Sequence, residues 1–231
     1  MTVLEAFQNK ESSYPSDKFI KDLEVYDLYF SYFKTQKESI NILEIGVKKG
    51  GSLYAWKKYF GDQANNIVGI DINPSCKKMQ DSSQNIFIDI GDQGDSQFLH
   101  SVNEKYGPFD IIIDDGSHIQ KHHQSSLSTL FPLMPENSLY CIEDLHTCYF
   151  EILGGDSKGV HSDKTTLHFL SDKINQLNFR AQVDGRCKGS SLSLKDSGFW
   201  EENLYSICFY ESLAVLNKKT CEMKPWKSVK F

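Results

Sequence analysis

The sequence predicts an α/β unit built on a doubly wound, mostly parallel sheet that ends in an antiparallel hairpin. Three observations carry that expectation. From residue 40 onward, short apolar runs alternate with helical stretches, the pattern of right-handed crossovers between parallel strands. Some runs are apolar at nearly every position, as in Phe109-Asp110-Ile111-Ile112-Ile113, which fits strands covered on both faces. Two late runs are separated only by Glu211-Ser212, too little chain for a crossover, so they pair as a hairpin at one edge.

Taken in order, residues 1–38 read as a helical extension ahead of a domain spanning 39–231. Within the extension, 16–34 form an amphipathic helix. Phe19, Leu23, Tyr26, Phe30 and Phe33 recur at spacings of three and four, and Ser16 and Asp17 suit its cap. This aromatic stripe is expected to pack, to make an oligomer contact or to line the substrate cleft, and a homo-oligomer is expected. Strands follow at 40–45, 67–71, 86–90, 109–114 and 139–143, with helices at 52–60, 74–80, 95–105 and 120–131 between them. Together they make a Rossmann-like sheet, completed by hairpin strands at 204–210 and 213–216. Residues 151–162, with Gly154, Gly155, Asp156, Ser157 and Gly159, read as a loop, either a lid or an ordinary surface segment.

Composition narrows the function. The net charge is -6, and only Arg180 and Arg186 among the 25 basic residues are arginines, so phosphate backbones and base edges are poor partners. No nucleic acid is expected. The six cysteines, Cys76, Cys141, Cys148, Cys187, Cys208 and Cys221, form no Cys-x-x-Cys pair and read as reduced thiols. No basic, apolar leader and no apolar run of about 18 residues is seen, so a cytoplasmic protein without a membrane span is expected.

In open α/β sheets, ligands bind beyond the carboxyl ends of the strands, so the residues closing each strand come first. Strand one runs into Glu44-Ile45-Gly46-Val47-Lys48-Lys49-Gly50-Gly51-Ser52, a glycine turn that lets a ligand approach the backbone. Lys48 stands where a dinucleotide fingerprint has its second glycine, which argues against NAD. Strand two ends in Asp71, suited to ribose hydroxyls, and strand three in Gly91-Asp92-Gln93, suited to an adenine edge.

Strand four closes with Asp114-Asp115-Gly116-Ser117-His118 and strand five with Glu143-Asp144-Leu145-His146-Thr147. Taken singly, each acidic pair also suits a turn or helix cap. Converging on one sheet edge, however, these carboxylates repel one another unless a cation lies between them. Hard oxygen donors fit Mg²⁺, or Mn²⁺ or Ca²⁺, better than zinc. Such an ion lowers the pKa of a bound alcohol, and an imidazole is a usable base at cellular pH. His118, three residues past Asp115, is placed for that role. His146 suits orienting a substrate. A zinc pair of His118 and His122 is a lesser possibility, because His122 and His123 read as a solvated helix surface.

The order of glycine turn, acid after strand two and acid after strand three resembles the class I S-adenosylmethionine-dependent methyltransferases. The resemblance implies that the 44–52 turn, through Glu44, Gly46 and Ser52, holds the methionine part. It also implies that Asp71 holds the ribose, Asp92 and Gln93 the adenine, and that Asp114 borders the cofactor. Over about residues 40–150 the chain is similar to a narrower group, the magnesium-dependent sugar O-methyltransferases of the mycinamicin and tetracenomycin rhamnosyl type, with cephalosporin hydroxylase-like relatives. Gly91-Asp92-Gln93, residues 114–118 and residues 143–149 carry that likeness. It implies metal ligands at Asp115, Glu143 and Asp144, His118 as general base, and a sugar-containing small-molecule acceptor.

Rivals remain at this point. No Asn/Asp-Pro-Pro-Tyr-like segment follows strand four and no Pro-Cys dipeptide exists, against nucleobase enzymes. A catechol-type O-methyltransferase also uses Mg²⁺. An Fe(II) hydroxylase needs two histidines and a carboxylate, which His118, His146 and Asp115 supply on paper. A non-catalytic binding protein would have no use for the acid cluster beside a base.

Overall fold

The computed structural model describes residues 1–8, 14–183 and 191–224; Arg186 and Cys187 lie outside the described residues. Seven strands form one sheet in the order β3-β2-β1-β4-β5-β7-β6. They are β1 (Ile40–Ile45), β2 (Ala64–Asp71), β3 (Ile86–Ile90), β4 (Ile111–Asp114), β5 (Ser138–Ile142), β6 (Leu204–Tyr210) and β7 (Leu213–Lys218). The first five are parallel, whereas β7 runs antiparallel to both β5 and β6. The strand order reverses between β1 and β4, the switch point where open α/β sheets bind ligands.

Strand limits follow from where backbone groups find partners. β4 starts at Ile111, later than the apolar run suggests; Asp110 before it still pairs its backbone with Asn41 and Leu139, and its carboxylate accepts the Asn41 N–H (2.8 Å) and the Lys37 ammonium. Along β1 and β4, alternate residues serve opposite faces. Ile42, Ile111 and Ile113 join one buried cluster, while Leu43, Ile45 and Ile112 join the other. Near-continuous apolar runs therefore do mark two-sided burial.

The principal helices are α1 (Val3–Gln8), α2 (Ile20–Gln36), α3 (Gly51–Phe60), α4 (Ser96–Tyr106), α5 (Gln120–Leu130) and α6 (Thr166–Leu177). The aromatic stripe of α2 packs inward. Tyr26, Phe30 and Phe33 are buried with Val3 and Ala6 of α1, and Trp56 of α3 meets Tyr26 and Phe30 edge-on at 5.6 Å. Its start differs from the expected one. Phe19 caps the helix without any side-chain hydrogen bond, and Asp17, expected as a cap, instead accepts from Lys48 Nζ at 2.6 Å. The helix expected over 74–80 is a 3-10 turn, Pro74–Met79, with proline at its N-terminus. Residues 151–162 contain two 3-10 turns, Glu151–Leu153 and Gly159–His161, and none of them lines the cleft described below. Among the described residues no helix is long and apolar enough to cross a membrane.

Candidate active site

All five parallel strands end at one cavity of about 740 Å³. Its walls include Gly46 and Lys48 after β1, Asp71 closing β2, Gly91, Asp92 and Gln93 after β3, Asp115 to His118 after β4, and Glu143 and Asp144 after β5. Phe19 and Ile72 add apolar surface at its mouth.

One half of the cavity is set by the turn after β1. Gly46 adopts φ 96°, and a Cβ there would lie 2.1 Å from the Asp115 carbonyl oxygen, so only glycine lets the β1 and β4 loops touch. Lys48 holds φ 50°, a conformation glycine reaches more easily. The turn is pinned by Asp71, whose Oδ2 accepts the N–H groups of Val47 (3.0 Å) and Lys48 (2.9 Å) while Oδ1 accepts from Asn73 (2.8 Å). Gln93 is locked as well. Its Nε2 donates to Asp114 Oδ1 at 3.0 Å and its Oε1 accepts the Ser117 N–H at 2.6 Å. Asp92 Oδ1 accepts from Gly94 N–H at 2.8 Å.

Three residues expected at the cofactor lie behind the wall rather than in it. Asp114 is fully buried and anchored by Gln93, Ser126 and Tyr140, whose hydroxyl donates to Oδ2 at 3.0 Å. Glu44 is fully buried and accepts from Trp56 Nε1 at 3.0 Å, and Ser52 is buried in the first turn of α3. None of the three lines the cavity.

The other half is acidic. His118 Nε2 lies 3.4 Å from Asp144 Oδ2 and 3.9 Å from Asp115 Oδ1. Ligand-capable atoms of Asp115, His118 and Asp144 fall within 4.8 Å of one another, the grouping of this kind found among the described residues. His118 Nδ1 is buried without a hydrogen-bond partner. Glu143 sits deeper. Its Oε1 accepts from the Tyr26 hydroxyl at 2.6 Å and from Lys18 Nζ at 2.8 Å. Burial pushes the Glu143 carboxyl up, and Lys18 pulls it back.

Lys18 is the residue that sequence reasoning missed. Its side chain is only 3% exposed, and Nζ lies 2.9 Å from Glu44, 2.7 Å from Asp115 and 2.8 Å from Glu143. Burial works to lower this ammonium's pKa, but the three carboxylates together raise it well above its ordinary value. The convergence of acids had demanded a cation; nothing local in the sequence says that residue 18 supplies one. Asp22 of α2 is a further buried acid in this region, with Oδ2 unpartnered.

The histidines of α5 differ from expectation. His122 lines the cavity and its Nδ1 is 2.9 Å from Ser117 Oγ, whereas His123 is fully buried, not solvated, and burial lowers its pKa. His123 lies one and two turns before Leu127 and Leu130, the residues with which α5 faces the sheet. His146 leans on Ser212 (Nδ1 to Oγ 2.6 Å) and stands 3.8 Å from Asp144. Cys141 and Cys148 are buried thiols, the latter donating to Gln120.

No protein-family model matches the chain. It is 34% identical over 200 residues to a demethylmacrocin O-methyltransferase of Streptomyces fradiae, covering 84% of this chain and 47% of that protein. Against the mycinamicin VI 2''-O-methyltransferase of Micromonospora griseorubida it is 32% identical over 200 residues, with the same two coverages of 84% and 47%. Among solved structures it resembles the MycE methyltransferase of mycinamycin biosynthesis in complex with Mg, SAH and mycinamycin VI. That match has a TM-score of 0.76 at 31% identity and covers 89% of this chain and 51% of that one. The chain thus spans about half the length of the relatives it matches.

Proposed function

From a class I S-adenosylmethionine-dependent methyltransferase fold that resembles sugar O-methyltransferases over 84% of the chain, we propose that this protein methylates a sugar hydroxyl. The methyl donor is S-adenosylmethionine, and the acceptor is a glycosylated or nucleotide-linked small molecule. A divalent cation, Mg²⁺ or Mn²⁺, assists. The observation that carries this reading is one cavity joining a nucleoside-type wall (Gly46, Asp71, Gln93) to the acid–histidine group Asp115, His118 and Asp144.

The residues fit both the cofactor and the cation. Gly46 lines the cavity where its contact with the β4 loop leaves room for the methionine part, and Asp71, oriented by three backbone N–H groups, keeps one Oδ1 lone pair for a ribose hydroxyl. Asp92 and Gln93 border the adenine end, while Glu44, Ser52 and Asp114 support that wall from behind. Asp115 and Asp144 offer hard oxygens at the cavity, with Glu143 beneath them. A cation held there would supply acidification of an acceptor hydroxyl, and S-adenosylmethionine would supply the electrophilic methyl group. His118 is placed to take the hydroxyl proton at Nε2, with Asp144 Oδ2, 3.4 Å away, facing the imidazolium that this would form.

The Fe(II) reading loses support because the donor group contains one histidine and two carboxylates, while His146 is engaged by Ser212. Leu28 and Tyr32, 69% and 61% exposed on the outer face of α2, support a homo-oligomer. The biosynthetic relatives support a cytoplasmic location.

Calorimetric titration with S-adenosylmethionine tests the cofactor side. The chain should bind it, and Asp71→Ala should weaken binding by roughly tenfold or more, about 1.4 kcal/mol. Absence of binding, or binding indifferent to Asp71→Ala, contradicts the proposal.

A further inference from the structure

The segment that carries Lys18 is held at several points along the cleft. A Cβ on Gly51 would come within 2.4 Å of the Pro15 carbonyl carbon, so Pro15 lies directly against the start of α3. Asp17 grips Lys48 of the cofactor-side turn at 2.6 Å, and Phe19 lines both the main cavity and the neighbouring one around His146 and Tyr149. Between these contacts Lys18 sends its side chain inward to Glu44, Asp115 and Glu143, at 2.9, 2.7 and 2.8 Å.

Two of the oxygens it occupies, Asp115 Oδ2 and Glu143 Oε1, belong to the carboxylates proposed as metal donors. Glu143 Oε1 has both lone pairs taken, by Lys18 and Tyr26, and Asp115 Oδ2 gives one to the ammonium in a charge-assisted hydrogen bond. A divalent ion drawing on the same carboxylates would also sit a few ångströms from a buried positive charge, where repulsion is poorly screened. Both occupants answer the same need, which is to neutralise acids that cannot stay buried together as anions.

We propose that Lys18 is a built-in competitor for the divalent cation: its ammonium holds Asp115 and Glu143, and metal loading requires it to leave. The inference rests on the metal reading of the preceding section. Lys18 acts through the carboxylates and not on the acceptor. Because Asp17 holds Lys48, expulsion of Lys18 also disturbs the strap that crosses the cofactor turn.

The test is calorimetric titration with Mg²⁺ alone, without cofactor or acceptor, on the unaltered chain, Lys18→Gln and Lys18→Arg. Lys18→Gln keeps a hydrogen-bond donor but removes the charge, and it should bind Mg²⁺ at least tenfold more tightly, roughly 1.4 kcal/mol. Lys18→Arg should bind no more tightly than the unaltered chain. Equal or weaker binding by Lys18→Gln overturns the proposal. Should that variant fail to fold, the unaltered chain decides: Mg²⁺ must accelerate tryptic cleavage of the Lys18–Phe19 bond, followed by mass spectrometry, and protection or no change overturns it. No Mg²⁺ binding by any form overturns it together with the metal reading, whereas S-adenosylmethionine titration of the same samples still reports separately on the cofactor site.

Discussion

His118 Nε2 and Asp144 Oδ2 face each other at 3.4 Å, and both residues hold left-handed backbone, at φ 57° and 55°. Such a conformation costs a non-glycine residue roughly 1–2 kcal/mol, and two of them meet in the cavity proposed as the active site. The loops after β4 and β5 are bent so that these side chains converge.

His118→Asn tests the base. Asparagine tolerates left-handed backbone but cannot take a proton, so turnover should fall by about 10²–10⁴-fold. Affinity for S-adenosylmethionine, measured by calorimetry, should stay within about twofold. Undiminished turnover removes His118 from the mechanism.

Asp22 predicts a pH signature. Burial pushes its carboxyl up to about 6, with Asp144 and Asp115 adding and Lys21 and Lys18 opposing. A folded-state value above the unfolded one means that between about pH 4 and 6 the folded chain holds a proton the unfolded chain has released, so the ionised group destabilises as pH rises. Asp22→Asn, studied by denaturant unfolding in EDTA, should therefore be near neutral at pH 4 and stabilising by on the order of 2 kcal/mol above pH 6. A gain that is flat with pH, or a loss at pH 7, contradicts this.

Gly46→Ala should be severe for two independent reasons. Its φ of 96° suits glycine, and the added Cβ would stand 2.1 Å from the Asp115 carbonyl oxygen, which is backbone and cannot swing away. Strain and overlap together should cost about 3 kcal/mol or more in denaturant unfolding. Separation of the two loops should also weaken S-adenosylmethionine binding. A variant as stable as the unaltered chain shows that the loops need not touch.

The sheet was legible because its strands are apolar runs with turn residues at both ends: β1, β3 and β6 begin and end where their hydrophobic runs do. The acid-rich strand ends were legible for the same reason, since the doubly wound topology fixes which ends share an edge. What escaped was long-range. Lys18 meets Asp115 and Glu143 across 97 and 125 residues, and no local pattern distinguishes it from the other lysines. The start of α2 was misplaced because Asp17, a good cap by type, has a stronger claim from Lys48. His123 could have been found, because helical periodicity puts it on the Leu127–Leu130 face; the adjacent His122 and Lys121 made the stretch look polar all round.

Methyl transfer itself is the most direct measurement. The chain is incubated with methyl-labelled S-adenosylmethionine and a glycosylated macrolide bearing free sugar hydroxyls, in Mg²⁺, in EDTA, and in EDTA followed by excess Mg²⁺. The expected result is label on a sugar oxygen with Mg²⁺, loss of transfer in EDTA, and its return on adding Mg²⁺. Transfer that proceeds undiminished in EDTA would contradict a cation held by Asp115 and Asp144.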